Sequence, residues 1–279
     1  MSRLTKQQSK LHARAGSLLQ QDSLTFDERL FVLDNWQESA NHVNGSAGAF
    51  FTPRSLSRGL AIETFGGRIL DICAGIGSLA FAAYHYSAGT QTGGRPNITC
   101  VEINPDYVAV GRKVLPEATW ILADAFDLPS PLGGFDCVIS NPPFGRVQHN
   151  GSAPRYSGCE FEYKIIDICS DLACHGVFLI PQSSAPFKLS GIRGYEDAPT
   201  DKYLRFSQQS SIELDPNCGI DTAVSMDEWH GVTVMTEIAL ADFLQTRSRR
   251  RTAAGAVQPE TISVIEQAVS LQRELFACA

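Results

Sequence analysis

The sequence contains no apolar run of the ~18–20 residues that a membrane-spanning helix needs, so it predicts no transmembrane segment. Its first residues are polar, unlike the apolar stretch of a secretory signal peptide. The eight cysteines include no C-x-x-C pair and no Cys/His cluster at zinc spacing. Several lie inside apolar runs, where a reduced thiol behaves as a small hydrophobic group. We therefore expect a soluble, cytoplasmic protein with no metal site and no membrane partner.

Positive charge is scarce and unevenly placed. The chain carries 23 basic and 30 acidic residues, a formal charge of -7. Residues 1–21 and 246–258 each hold four basic residues and no acid, which leaves 15 basic and 30 acidic residues elsewhere. This balance excludes a nucleic-acid coat protein and a membrane-surface binder, and any contact with a polyanion must be local.

Short apolar runs alternate with helical patterns through the middle of the chain. Strands are predicted at residues 68–72, 98–102, 119–123, 135–140 and 176–180, and helices at residues 78–86, 105–114 and 161–173. This βαβα order predicts a doubly wound α/β fold with a mostly parallel sheet. Two further strands are expected at residues 212–214 and 231–241, after a long loop at residues 182–210.

The ends of the chain differ from this pattern. Residues 5–20 and 25–41 predict two helices, and the Gly/Ser stretch at residues 44–48 marks a boundary. The expected organisation is an N-terminal helical appendage over residues 1–45 and an α/β domain over 46–245. A basic linker and a C-terminal helix at residues 259–276 would complete the chain, over residues 246–279.

A glycine-containing turn follows the first strand, in the segment Asp71-Ile72-Cys73-Ala74-Gly75-Ile76-Gly77. Glycines there permit a tight turn and a close approach of the backbone to a ligand. The spacing Gly75-x-Gly77-x-x-Ala80 also fits the dinucleotide fingerprint, and Glu102 could hold ribose hydroxyls in either case. A dehydrogenase therefore remains an alternative at this point.

Two further acids favour another adenosine cofactor. The carboxylate of Asp71 would repel a pyrophosphate but suits a cationic amino-acid group. Asp124 ends the third predicted strand, where it could accept a hydrogen bond from an adenine amino group. Phe126 lies nearby and could cover the ring. A ligand with adenine, ribose, a sulfonium and an ammonium group fits these acids, and that ligand is S-adenosylmethionine. A cap or turn role remains the alternative for Asp124.

The segment Asn141-Pro142-Pro143-Phe144 ends the fourth strand, at the edge where ligands of open α/β sheets bind. The prolines stiffen the turn and remove two donors. The Asn141 side-chain oxygen and the Pro142 carbonyl could accept both hydrogens of an exocyclic amino group, while Phe144 stacks on the attached ring. Such acceptors favour the nitrogen's change toward sp³ as it attacks a methyl group.

Together these segments resemble the class I S-adenosylmethionine-dependent methyltransferases that modify exocyclic amino groups. The upstream Phe51-Thr52-Pro53 is similar to a segment of the N6-adenine DNA methyltransferases. The resemblance covers about residues 46–243 and implies a seven-stranded Rossmann-like sheet with an antiparallel last strand. The site residues it implies are the catalytic Asn141, Pro142, Pro143 and Phe144, and for the cofactor Phe51, Thr52, Pro53, Asp71, Cys73, Ala74, Gly75, Gly77, Glu102, Ile103, Asp124, Ala125, Phe126 and Asn141.

The substrate is predicted to be nucleic acid, with DNA favoured over RNA. Adenine N6 or guanine N2 of RNA and glutamine of protein are alternatives that share the Asn-Pro-Pro motif, and an inactive scaffold that only binds nucleic acid is a fourth. DNA enzymes of this type generally carry a large target-recognition domain, for which little length remains here. Candidate substrate contacts in the 182–210 segment are Lys188, Arg193, Tyr195, Lys202 and Tyr203. The basic run Arg247–Arg251 could be a solvated tail or a phosphate contact.

Overall fold

A computed structural model describes residues 5–37, 50–87, 94–229 and 234–253. Its helices are α1 (Lys6–Leu18), α2 (Phe26–Asn35), α3 (Arg54–Glu63), α4 (Ser78–Tyr86), α5 (Pro105–Val114), α6 (Phe161–Cys169), α7 (Asp201–Ser210) and α8 (Phe243–Ala253). Its strands are β1 (Arg68–Ile72), β2 (Asn97–Glu102), β3 (Thr119–Leu122), β4 (Phe135–Ser140), β5 (Ala173–Pro181), β6 (Phe187–Lys188), β7 (Glu196–Asp197), β8 (Asp215–Pro216) and β9 (Thr236–Asp242).

Seven strands form the main sheet in the order β3-β2-β1-β4-β5-β9-β8. β3, β2, β1, β4 and β5 are parallel, and β9 runs antiparallel to both of its neighbours. The predicted doubly wound sheet with an antiparallel last strand is confirmed. The strand order reverses between β1 and β4, which places a ligand cleft at the carboxyl ends of these two strands.

The apolar runs of β1 and β4 reflect burial on both faces of the sheet. Ile69 and Ile139 pack into a core with α3, α4 and α5, whereas Leu70 and Val138 pack into a second core with α6 and α7. Alternate residues of a strand point to opposite faces, so a strand covered on both sides reads as an unbroken hydrophobic run. This continuity made the central strands predictable.

The two N-terminal helices begin with capping boxes, at Thr5 for α1 and Thr25 for α2. Trp36 ends α2 and is buried in the first core. An ion pair of 2.9 Å between Arg29 and Glu117 further fixes α2 against the turn after α5. Since α2 ends at Asn35, it is shorter than the helix predicted at residues 25–41. The predicted boundary at residues 44–48 lies outside the described residues.

The prediction of a long loop at residues 182–210 is wrong. This segment contains a 3-10 turn, the β6–β7 hairpin and the ten-residue helix α7. Thr200 caps α7, whose buried face holds Tyr203, Phe206 and Ser210. That spacing is helical, but the preceding glycines and Pro199 obscured it. The strand expected at residues 212–214 lies slightly later in the chain, as β8 (Asp215–Pro216). The strand expected at residues 231–241 is β9, which begins at Thr236, and residues 230–233 lie outside the described part.

The basic run does not form the predicted linker, because Arg247–Arg251 belong to α8. Arg247 donates at 2.8 Å to the carbonyl of Ser170, at the end of α6, and to that of Ala173, the first residue of β5. Arg250 Nε donates to the Ser210 carbonyl at 2.8 Å. These arginines therefore fasten α8 to the ends of α6 and α7. The C-terminal helix predicted at residues 259–276 lies outside the described residues.

Candidate active site

A cavity of about 410 Å³ opens at the carboxyl ends of β1, β2, β3 and β4. A smaller cavity adjoins it and shares several wall residues with it, including Phe51 and Asn141. Between them they are lined by the predicted residues Phe51, Thr52, Asp71, Cys73, Ala74, Gly75, Glu102, Ile103, Asp124, Ala125, Phe126, Asn141 and Pro143. Pro53, Gly77, Pro142 and Phe144 are not among the wall residues of either cavity. Gly77 instead precedes α4 with a φ of 90° and lies against Trp120.

Asp71 is the penultimate residue of β1 and is only 1% exposed. Its Oδ2 accepts from the backbone N–H of Ala80 at 2.9 Å, while Oδ1 is buried without a hydrogen-bond partner in the described structure. Burial, with the negative charge of Glu102 as a smaller contribution, raises the pKa of this carboxyl well above its usual value. A buried oxygen without a partner suits a cationic ligand group.

Glu102 ends β2 and ties the glycine-containing turn to the next loop. Oε2 accepts from the Gly75 N–H and Oε1 from the Asn104 N–H, each at 2.8 Å. Burial raises the pKa of Glu102, and these backbone hydrogen bonds oppose the shift. Each carboxylate oxygen keeps a second lone pair, so the group can still accept from ligand hydroxyls.

Asp124 and Phe126 follow β3 in the opposite wall. Asp124 Oδ1 accepts from the Phe126 N–H at 2.9 Å, which is the turn role considered as its alternative, and the residue also lines the cavity. The Phe126 ring stacks on His149 at 4.3 Å between centroids. His149 is a lone histidine in the sequence, for which we expected an ordinary role, and it belongs to the cavity wall. Lys164 Nζ lies 2.8 Å from His149 Nε2.

Cys73 has a φ of 59°, in the left-handed region that side chains other than glycine rarely adopt. It lines both cavities. Backbone strain of this kind concentrates at ligand sites. Burial and the neighbouring carboxylate of Glu102 raise the thiol pKa well above its usual value, which disfavours the reactive thiolate form.

Asn141 directly follows β4 and lines both cavities. Its Nδ2 donates to the Phe50 carbonyl at 2.8 Å and to Thr52 Oγ1 at 2.9 Å. A backbone carbonyl can only accept, so this contact assigns the nitrogen and the oxygen of the amide. Among the described residues Oδ1 accepts no hydrogen bond, which leaves it available to a donor in the cavity.

The turn after Asn141 is held by α6. Gly145, with a φ of 74°, donates to Glu162 Oε2 at 2.8 Å and accepts from the Phe161 N–H. Glu162 is buried, and its Oε1 accepts from Ser184 Oγ at 2.7 Å, so one carboxylate joins this turn to the segment after β5. Phe144, the expected stacking ring, is half-buried beside this turn. Sequence reasoning missed Glu162, because its partners lie far away in the chain.

The candidate substrate contacts in the segment after β5 have different surroundings. Lys188 pairs with Glu196 at 3.1 Å, Lys202 with Glu160 at 3.8 Å, and Tyr195 donates to Asp197 at 2.6 Å. Tyr203 is buried in the second core, so it does not lie on the surface as a substrate contact would. Arg193 is exposed on the turn between β6 and β7.

Within the described ranges no group of three or more His, Cys, Asp or Glu side chains is placed to hold a metal ion. None of the helices described is long and apolar enough to cross a lipid bilayer.

The sheet order, the turn after β1 and the ligand cleft at the strand ends define the fold of the class I S-adenosylmethionine-dependent methyltransferases. Compared by sequence, the chain matches no protein-family model and no curated protein. A Listeria monocytogenes structure described as a methyltransferase of this class matches with a TM-score of 0.53 and 14% identity, covering 86% of this chain and 75% of that one.

A second similar structure is described as a modification subunit of a type I restriction enzyme from Vibrio vulnificus. It matches with a TM-score of 0.50 and 11% identity, over 79% of this chain. The match covers only 50% of that subunit, so this chain spans about half its length. Identities this low show a shared fold.

Proposed function

We propose that this protein binds S-adenosylmethionine in the two adjoining cavities and transfers its methyl group to an exocyclic amino nitrogen, with adenine N6 in DNA as the favoured acceptor. The observation that carries the proposal is the state of Asn141. Both of its amide hydrogens are engaged, its oxygen accepts no hydrogen bond from the described residues, and the residue lines both cavities.

The side chains of the cavity walls fit this cofactor. Asp71, Glu102 and Asp124 are acidic, and no lysine or arginine is among the described residues of either wall. An ammonium group would give the Asp71 Oδ1 the partner it lacks, and Glu102 could accept from the ribose hydroxyls. A dinucleotide would place two phosphates against these acids, at an electrostatic cost. The walls therefore favour a cationic cofactor over the nicotinamide alternative.

When bound, S-adenosylmethionine supplies an electrophilic methyl group on a positively charged sulfur. The residues of this chain provide orientation and acceptors. Asn141 Oδ1 and the Pro142 carbonyl would accept the two hydrogens of the acceptor amine and direct its lone pair at the methyl carbon. Transfer would break the C–S bond with its electron pair remaining on sulfur, and the acceptor nitrogen held by these two oxygens would release one proton to water. Acceptors fixed in advance stabilise the charge that develops in this step.

Two features support a nucleobase in DNA as the acceptor. Phe144, half-buried three residues after Asn141, could stack on an extruded base, which would return ~1–3 kcal/mol. A base inside a duplex must be flipped out before such an enzyme can reach it. The Phe51-Thr52-Pro53 segment, similar to that of DNA adenine enzymes, contacts Asn141 directly through Thr52.

One observation favours RNA as a second candidate. Between β5 and β9 the described chain contains only the short β6–β7 hairpin, α7, β8 and two 3-10 turns. This is a small platform for reading a duplex sequence. Sequence-specific recognition of RNA usually targets bases that are already unpaired, and it can use a smaller surface.

The decisive experiment offers tritiated S-adenosylmethionine together with duplex DNA, total RNA or protein extract. The product is then digested to nucleosides or amino acids and separated by chromatography. We expect label in N6-methyldeoxyadenosine and none after Asn141→Ala. Asn35→Ala alters an asparagine on α2 that lines neither cavity, so this matched control should leave transfer unchanged.

Label found only in RNA nucleosides would reject DNA as the substrate and support RNA. Label found in glutamine would reject both nucleic acids and identify protein as the substrate. Binding of nucleic acid without transfer to any acceptor would identify an inactive scaffold. Calorimetry with S-adenosylhomocysteine and with NAD provides an independent check of the cavity. NAD binding without S-adenosylhomocysteine binding would overturn the cofactor assignment.

A further inference from the structure

The amide of Asn141 is oriented by a segment about ninety residues earlier in the chain. Its two acceptors are the Phe50 carbonyl and Thr52 Oγ1, at 2.8 and 2.9 Å. Together they use both Nδ2 hydrogens. The last torsion of an asparagine side chain is broad and roughly two-fold, so the side chain alone does not determine which way its oxygen points.

The segment that supplies these acceptors is itself fixed. The Phe51 ring packs against Tyr107 at 5.0 Å and against Trp36 at 5.6 Å between centroids. Thr52 is buried, and the helix that follows is joined to α2 by the ion pair between Arg54 and Asp34. Two acceptors on a packed segment therefore define one orientation of the Asn141 amide.

We propose that Thr52 is a positioning residue for methyl transfer, because its hydroxyl and the Phe50 carbonyl hold the Asn141 amide with its oxygen toward the acceptor nitrogen. This inference rests on the function proposed above. Thr52 acts here through Asn141. If the amide turned over, Nδ2 would face the hydrogens of the acceptor amine, and donor would meet donor.

The test compares Thr52→Val, which keeps the shape but removes the acceptor, with Thr52→Ser, which keeps the acceptor. A misplaced catalytic group can cost ~100-fold, so we expect Thr52→Val to lower kcat about 10- to 100-fold at saturating substrates. Thr52→Ser should stay within about threefold of the wild type, as one orienting hydroxyl remains. Thr64→Val removes a buried hydroxyl that donates to the Leu60 carbonyl and lines neither cavity, so this matched control should leave kcat unchanged.

The proposal is overturned if Thr52→Val keeps the wild-type kcat while Asn141→Ala abolishes transfer. It is also overturned if Thr52→Ser loses as much as Thr52→Val, because packing and not the hydroxyl would then matter. A change in KM alone, with kcat intact, would limit Thr52 to binding and would equally count against it.

A second measurement does not depend on activity, and it reads the orientation of the amide in the wild-type protein. In ¹⁵N-labelled wild-type protein, the side-chain amide of Asn141 is assigned by its absence in Asn141→Asp. We expect its two protons to exchange with water far more slowly than those of the exposed Asn97. Equal exchange would overturn the positioning role. Slow exchange without transfer to any acceptor would instead reject the proposed function and keep the orientation.

Discussion

Asp71 accepts a hydrogen bond from the backbone of Ala80 with one carboxylate oxygen and buries the other without a partner in the described structure. Ala80 belongs to the first turns of α4, so the carboxylate joins the end of β1 to the helix that follows the glycine-containing turn. The carboxyl is thereby well ordered, but its charge is not compensated. Such a group costs stability in the free protein and becomes useful when a cation binds.

Replacement of Asp71 by asparagine should stabilise the ligand-free protein, and more so as the pH rises. The pKa of Asp71 is higher in the folded protein than in the unfolded chain. The wild-type protein is therefore most stable below the unfolded-state pKa of this group, and it loses stability as the pH rises through the folded-state pKa. The neutral amide avoids this loss. We expect a gain of about 1–2 kcal/mol at pH 8, below the full cost of a buried charge because the amide is itself polar. The measurement is urea unfolding of both proteins at pH 5 and pH 8. The prediction is contradicted if the free energies of unfolding of the wild type and of Asp71→Asn differ by the same amount at both pH values.

Binding of the cofactor should release protons from the wild-type protein. A cationic group beside Asp71 favours the carboxylate, so it lowers a pKa that burial has raised. Calorimetric titration with S-adenosylmethionine, in buffers of different ionisation enthalpy across a pH series, measures the protons released. Asp71→Asn should abolish the part of this release that belongs to the site and should weaken binding. If the heat is independent of the buffer at every pH, the cation does not meet this carboxyl.

The central sheet and the strand-end residues were predictable because their signals are local. Strands buried on both faces give continuous apolar runs, and Asp71, Glu102 and Asn141 each stand at the end of one. Contacts across the chain give no such signal. The bonds of Thr52 with Asn141 and of Glu162 with Gly145 join segments that no periodicity relates. The arginines of α8 show the same limit, because charge alone could not distinguish helix-end contacts from a solvated tail.

Loss of the charge at Asp167 should strongly destabilise the protein. This side chain is fully buried and accepts from the backbone N–H groups of Arg155 and Tyr156, at 2.6 and 2.8 Å, and from Arg155 Nη1 at 3.0 Å. Removal of one partner from a buried ion pair typically costs ~3–5 kcal/mol, so we expect about 3 kcal/mol for Asp167→Asn. Urea unfolding measures it.

Asp171→Asn is the matched control for that change, since Asp171 pairs with Arg155 at 2.8 Å but is 44% exposed. Exposed pairs contribute ~0–1 kcal/mol, so its loss should be small. Equal losses for the two variants would show that burial does not determine the strength of this network.

Arg146 should contact the phosphate beside the target nucleotide, if nucleic acid is the substrate. It is exposed and directly follows Gly145, next to the Asn-Pro-Pro-Phe turn. In the described structure its side chain forms neither an ion pair nor a hydrogen bond. Lys188 and Lys202, by contrast, are already paired with acids.

A phosphate contact contributes to affinity without regard to sequence and adds ~1 to the slope of log K against log salt. We therefore expect Arg146→Ala to weaken binding of every oligonucleotide similarly and to lower that slope by about 1. Arg251→Ala, on the exposed surface of α8, is the control and should leave the slope unchanged. Fluorescence anisotropy over a salt series measures both, and an unaltered slope for Arg146→Ala would remove Arg146 from the binding surface.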